Sequence, residues 1–361
     1  MTARGADGRL AGLAAEASRR YRWALGLAAA ALLVLAGASL TVGALPIPVG
    51  DVLQAVLRGL GPEAARGPHD ALVLSIRIPR TLMAVAIGAA LALSGAIMQG
   101  LFRNPLADPG LVGVSSGAAL AAGFTIVLGD RLLAPALGRM PFAILPFGAF
   151  LGGLASTAVL YLIATRRGTT SVALLLLAGI ALGALAGSLS GFLAYLSDDR
   201  QLRDLTFWSL GSLGGSTWTK FVSILPVVLL LLAVAPRLAR GLNGLGMGEA
   251  AAYHAGFNVQ RIKVMAIVLV ALATGASVAV AGMIGFVGIV VPHVVRLGIG
   301  ADHRHLLPLT ALGGGILLLT ADLVARTVVT PAELPIGIVT AAIGAPFFLW
   351  LLMRREGALG A

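Results

Sequence analysis

Cysteine is absent from all 361 residues, which excludes disulfides, thiolate metal sites and cysteine nucleophiles together. Charge is nearly as scarce: 11% of residues are Asp, Glu, Lys or Arg, against about 25% in ordinary soluble domains. Just two residues are lysines, Lys220 and Lys263. A phosphate-cradling loop ends in Gly-Lys-Ser or Gly-Lys-Thr, and neither Thr219-Lys220-Phe221 nor Ile262-Lys263-Val264 supplies that ending. Any ATP must therefore be hydrolysed by another polypeptide. Of the fifteen carboxylates only Asp322 falls clearly within an apolar run. Ion-coupled carriers place such groups near mid-membrane, whereas Asp322, four residues before Arg326, reads as half of a local ion pair at a helix end. The five histidines form no ligand pair at helical spacing. His293 follows Pro292 inside an apolar run, where a haem ligand is one reading and a packed histidine beside a helix break is the other and simpler one. No catalytic constellation is present.

What the chain has in abundance is apolar length. Hydrophobic residues make up 58%, and runs near 20 residues recur from end to end, each able to cross a hydrocarbon core about 30 Å thick. Between charged or Gly/Pro-rich breaks we read ten spans, at 24–45, 81–101, 111–128, 141–164, 171–196, 221–235, 264–282, 284–298, 306–325 and 336–353. The stretch 264–298 is divided in two because one straight helix of that length would overshoot a bilayer. The Gly282-Met283-Ile284-Gly285 break marks the division. The expectation is an all-α polytopic membrane protein, with a tail at 1–23, a transmembrane domain at 24–353 and a second tail at 354–361. Arg19 and Arg20 precede an apolar run ending at Ala36-Gly37-Ala38, which resembles a signal-peptidase site. Because the run continues through Leu45 and further spans follow, a retained first span is the better reading.

The formal charge of +11 does not point to nucleic acid, since the arginines lie between apolar spans and not on a polar face with interleaved aromatics. They orient the chain instead. With ten spans and the N-terminus inside, 16 of the 26 Lys and Arg residues fall on the inner side, so both termini and the loop 237–263 are expected in the cytoplasm. Glycine, at 48 positions, concentrates within spans. Gly179, Gly183, Gly187 and Gly191 form a ladder on one helix face, which suits close helix packing in lipid and leaves open a role in lining a pathway, as for Pro292 and His293.

Several motifs carry a resemblance. Arg77-Ile78-Pro79-Arg80, then Gly88-Ala-Ala-Leu-Ala-Leu-Ser-Gly95-Ala-Ile-Met-Gln99, then Asn104-Pro-Leu-Ala-Asp-Pro-Gly110 are followed by Gly282-Met-Ile-Gly-Phe-Val-Gly-Ile-Val-Val-Pro-His293, Asp302-His303-Arg304 and Glu333-Leu-Pro-Ile-Gly-Ile-Val-Thr-Ala-Ala-Ile-Gly-Ala-Pro346. In this order they resemble the FecCD-type permeases of siderophore, haem and cobalamin ABC importers. The resemblance implies the type II importer permease fold, a homodimer in a bacterial inner membrane, two cytoplasmic ATPase subunits that use ATP and Mg, and a periplasmic binding protein. The permease itself would bind no cofactor and no metal. In the family, arginines on the outer face pair with acidic residues of the binding protein, and the matching positions here are Arg77, Arg80 and Arg326; the alternative is that they only anchor helix ends. The family also places an ATPase-coupling helix where this chain has Gly246, Glu249, Ala250, Ala251 and Gly256, though a generic cytoplasmic loop would also fit. The outer segment Arg203 to Gly215, with Phe207 and Trp208, is similar to haem-import members, or is an interfacial aromatic anchor. Haem is therefore the first expected cargo, ferric siderophore the second and a corrinoid the third. A secondary carrier remains the rival class.

Overall fold

Apolar runs in lipid must satisfy their own backbone hydrogen bonds, which leaves helices as the available solution for this sequence. The computed structural model describes residues 3–59, 67–132 and 141–359, and it is built that way. The helices are α1 (Ala3–Thr41), α2 (Val49–Gly59), α3 (Asp70–Phe102), α4 (Val114–Leu132), α5 (Pro141–Ala164), α6 (Val172–Leu196), α7 (Asp199–Leu210), α8 (Trp218–Gly246), α9 (Glu249–His254), α10 (Val259–Ala281), α11 (Val287–Ile299), α12 (His303–Ala325) and α13 (Ile336–Leu359). A two-residue hairpin, β1 (Thr165–Arg166) and β2 (Thr169–Thr170), joins α5 to α6. Among the described residues, seven helices are long and apolar enough to cross a membrane, and α4, α11 and α13 carry shorter apolar stretches. These ten coincide with the ten expected spans. Met1, Thr2, Gly360 and Ala361, the ends of the expected tails, lie outside the described residues.

Helix α3 is the axis of the bundle. Of its most apolar stretch 89% is buried, and α8, α10, α11 and α12 all pack on it. Glycine makes this possible. A methyl group at Gly88 would overlap the Gly314 carbonyl of α12, and one at Gly95 would overlap the Gly288 carbonyl of α11. Lipid supplies no hydrophobic drive for association, so backbones that approach this closely gain their attraction from dispersion. The entry to α3 is a π-helical turn, Val73–Arg77, in which the Ile78 N–H reaches back to the Val73 carbonyl and the Leu74 carbonyl is left to Pro79. Proline has no N–H to give the Leu74 carbonyl. The indole N–H of Trp218, at the start of α8, donates to that carbonyl instead at 2.8 Å.

Three boundaries differ from expectation. Residues 3–23, expected as a tail, are helical and run without a break into the first span, whose apolar stretch begins at Ser18. Second, α8 does not stop near Pro236 but runs on to Gly246. Leu231, Ala235, Leu238, Leu242 and Leu245 keep an unbroken buried stripe at spacings of three and four, and a proline within a packed membrane helix is tolerated. The break expected over 237–263 therefore narrows to residues 247–258 around α9. Third, α2 was not anticipated; it is an amphipathic helix with Val52 and Ala55 buried. The expected division at Gly282 holds. Gly282 (φ 73°) and Phe286 (φ 68°) bracket the irregular segment between α10 and α11, and the freed Ala281 carbonyl accepts from the Ser212 N–H at 2.7 Å.

Candidate functional site

Helices α3 and α12 run antiparallel in contact, so each end of the pair gathers its own polar groups. At one end stand Arg77, Arg80, Asp322 and Arg326, and at the other Gly100 meets His303. About twenty residues separate the ends along either helix, or about 30 Å at 1.5 Å per residue.

At the first end the three expected arginines do come together, but they point inward. Their relative exposures are 5%, 7% and 4% for Arg77, Arg80 and Arg326. Arg80 grips Asp322 with Nε (2.9 Å) and Nη2 (2.8 Å) and donates through Nη1 to both oxygens of Glu333 at 2.9 Å. Asp322 is 1% exposed and also faces Arg326 Nε at 3.5 Å. The local Asp322–Arg326 pair read from sequence is thus present, but Arg80 from another helix is the closer partner. Arg326 Nη2 donates to the carbonyl and the hydroxyl of Ser39 at 2.8 Å, and Ser39 in turn contacts Thr81 at 2.8 Å. Arg77 donates to the carbonyls of Leu40 (2.7 Å) and Leu45. The end of α1 is thereby stitched to α3 and α12. The expected placement of these arginines at the mouth of a span beginning near residue 81 is corrected, because α3 begins at Asp70, which sets Arg77 about two turns and Arg80 nearly three turns inside it. Glu333 is the member of the network open to solvent, at 40% of its side chain.

At the opposite end, Asp302 caps α12 and Asn243 of α8 bridges to it. Asn243 Nδ2 donates to Asp302 Oδ1 (2.6 Å), and its oxygen accepts from the His303 backbone N–H (3.0 Å) and lies 2.7 Å from His303 Nδ1. Burial pushes the Asp302 carboxyl up, but the Arg304 N–H, the Asn243 amide and the Arg304 charge outweigh it and hold the group below its ordinary range. A cavity of about 310 Å³ opens beside it among Gln99, Arg103, Gly246, Arg296 and His303. In the loop between α3 and α4, burial raises the Asp108 carboxyl against the downward pull of the Gly110 N–H.

Helix α9 projects from this end. Gly248 (φ 112°) turns the chain into it, and Gly256 (φ 84°), with open space around it, turns the chain out. Ala250, Ala251, Tyr253 and His254 are exposed, as are Gly246 and Met247, while Ala252 is the buried contact. Glu249 is held by Lys263 at 2.7 Å. Of the glycine ladder on α6, only Gly179 meets a neighbour, the Leu111 carbonyl; Gly183, Gly187 and Gly191 face open space. Close packing within one chain thus accounts for one rung of the four. Pro292 and His293 are buried on α11, with the His293 ring edge-on to Phe347 at 5.8 Å. No group of three His, Asp or Glu side chains able to hold a metal occurs among the described residues.

Sequence reading missed the carboxylates that occupy Arg80, because Asp322 and Glu333 lie more than two hundred residues away along the chain. It also missed the buried Lys263, although a lysine in so apolar a chain is itself a signal.

Comparison with known proteins places this geometry among transporters. The FecCD transport family matches residues 31–354. The chain is 49% identical over 291 residues to the hemin transport system permease protein HmuU of Yersinia pestis, covering 78% of this chain and 83% of that one. It is 43% identical over 335 residues to the cobalamin import system permease protein BtuC of Halobacterium salinarum, covering 90% and 86%. A solved structure of a metal-chelate type ABC transporter in an inward-facing conformation superposes with a TM-score of 0.78 at 32% identity, over 91% of this chain and 98% of that one. PsaBC from Streptococcus pneumoniae, at 13% identity and a TM-score of 0.54, shares the fold.

Proposed function

Because the chain belongs to the FecCD transport family, we propose that it is the permease of an ABC importer that carries haem from periplasm to cytoplasm. At the coarser level it is a multi-pass permease subunit with the type II ABC importer fold, working with separate ATPase subunits and a substrate-binding protein. Haem rests on one observation, the 49% identity to a hemin permease, and ferric siderophore and cobalamin are the alternatives. The experiment is uptake into proteoliposomes containing this chain with its ATPase, offered haem, a ferric siderophore and cobalamin with their binding proteins. ATP-dependent accumulation of haem alone supports the reading, and accumulation of another cargo replaces it.

The arrangement supports assigning its two ends to two partners. Gly246, Ala250, Ala251 and Gly256 form a small, exposed surface with the part-buried Glu249 at its edge, which suits insertion into a groove of the ATPase; that end is the cytoplasmic one, together with both termini. The arginine end then faces the binding protein. Docking at Arg77, Arg80 and Arg326 would take place by exchange, with an incoming carboxylate replacing the half-exposed Glu333 on Arg80. The open face of α6 suits a second copy of the chain, and the pathway would run between the two copies. Such a pathway, poor in polar side chains, would pass a large chelate without holding it tightly. ATP and Mg belong to the partner ATPase, and this chain needs no cofactor of its own.

A further inference from the structure

We propose that Lys263 is a positioning residue that transmits movement of α9 to α6 through Thr170. The proposal rests on the reading above that α9 meets the ATPase. Lys263 is one of two lysines in the chain and is 4% exposed. Its ammonium has two partners from two different elements, Glu249 Oε2 at 2.7 Å and the Thr170 carbonyl at 2.8 Å. Gln260, on the same face of α10 three residues earlier, clasps the other polar groups of Thr170. Its Oε1 accepts from the Thr170 N–H at 3.0 Å, and its Nε2 donates to the Thr170 hydroxyl at 2.7 Å. That hydroxyl also contacts Thr165 across the hairpin at 2.9 Å. Every backbone and side-chain polar group of Thr170 is thus held, and the residue is 2% exposed.

Little slack lies between Thr170 and α6. The hairpin turn is Arg167 and Gly168, with φ of 50° and 77°, the tight two-residue form that matches strand twist. The next residue, Ser171, caps α6 by accepting from the Leu174 N–H. From α9 to α6 the order is therefore Glu249, Lys263, Thr170, Ser171, each joined to the next by a hydrogen bond or a peptide bond. The link through Lys263 is ionic on one side and buried on the other. Separating a buried ammonium from its carboxylate leaves a charge uncompensated, which is more costly than breaking a neutral contact. A shift of α9 is accordingly passed on to the ammonium. The helix moved in this way is the one whose glycine face stands open.

The test uses the complete complex in proteoliposomes, with ATP hydrolysis and uptake measured in the same vesicles. Lys263→Met should lower the cargo delivered per ATP hydrolysed by at least about fivefold, the lower range of coupling between sites, and Lys263→Arg should restore part of it. Glu249→Gln, at a half-exposed position, should lower the same ratio, and the double variant should be no worse than Lys263→Met alone. Hydrolysis and uptake falling in parallel in these variants, or an unchanged ratio, would overturn the proposal. Tyr253→Cys should cross-link to the ATPase; absence of that cross-link would remove the reading of α9, whereas a cross-link with an unchanged ratio would remove only the role of Lys263.

Discussion

Asp322 neutralises two guanidinium groups from a site that is 1% exposed. Removing it leaves Arg80 and Arg326 buried with one carboxylate fewer, and breaking a buried pair from one side costs about 3–5 kcal/mol. Asp322→Asn should therefore lower the thermal midpoint of the detergent-solubilised protein sharply. Glu333→Gln should shift it little, because the lost partner is half-exposed and such pairs contribute about 0–1 kcal/mol. Thermal unfolding followed by tryptophan fluorescence checks both. Asp302 gives a second residue-scale expectation. Its carboxyl is held below the ordinary value in the folded chain, so its contribution is present in full above an unfolded value of about 4 and is lost as pH falls through the folded value. Asp302→Asn retains a competent helix cap and should flatten the loss of stability on acidification below that point, as measured by thermal midpoints across a pH series. Sequence spacing paired Asp322 with Arg326 but could not pair it with Arg80, nor Asp302 with Asn243, because hydropathy marks which residues are buried and is silent on which group of a distant helix lies opposite.

At the scale of elements, helix contacts turn on glycine. Gly314→Leu would drive a branched side chain into the Gly88 carbonyl and separate α3 from α12. Overpacking costs about 1–3 kcal/mol where neighbours can adjust, and a backbone neighbour adjusts least. We expect loss of folded protein in the membrane, whereas Gly183→Leu, with open space around it, should accumulate normally; membrane abundance measured side by side distinguishes them. The ten spans were legible because each is an apolar run of sufficient length, and the Gly282 division was legible because length forbade one helix. The extension of α8 to Gly246 was hidden, since Arg237, Arg240 and four nearby glycines lower the average hydropathy while the buried stripe of Leu238, Leu242 and Leu245 persists. The arginine cluster was legible as three motif positions. Its inward orientation was not, because it depends on the start of α3 at Asp70 and on a π turn that no hydropathy pattern marks.

For the whole molecule, the open face of α6 is the expectation most exposed to test. Only 11% of its most apolar stretch is buried within the chain. If a second copy covers it, Gly187→Trp should convert the purified dimer to a monomer in light scattering while leaving the helix content unchanged; a persistent dimer would place the interface elsewhere. The contrast between α6 and α3 carries a mechanical consequence. Helix α3 is fixed to α12 by glycine contacts along its length and by Arg80 at its entrance, and to α8 by the indole of Trp218. Packed interfaces of this kind hold discrete registers and do not slide continuously. We therefore expect α3 to stand still as a stator, and any travel that opens a passage to fall to lightly packed helices such as α6, which lies away from it.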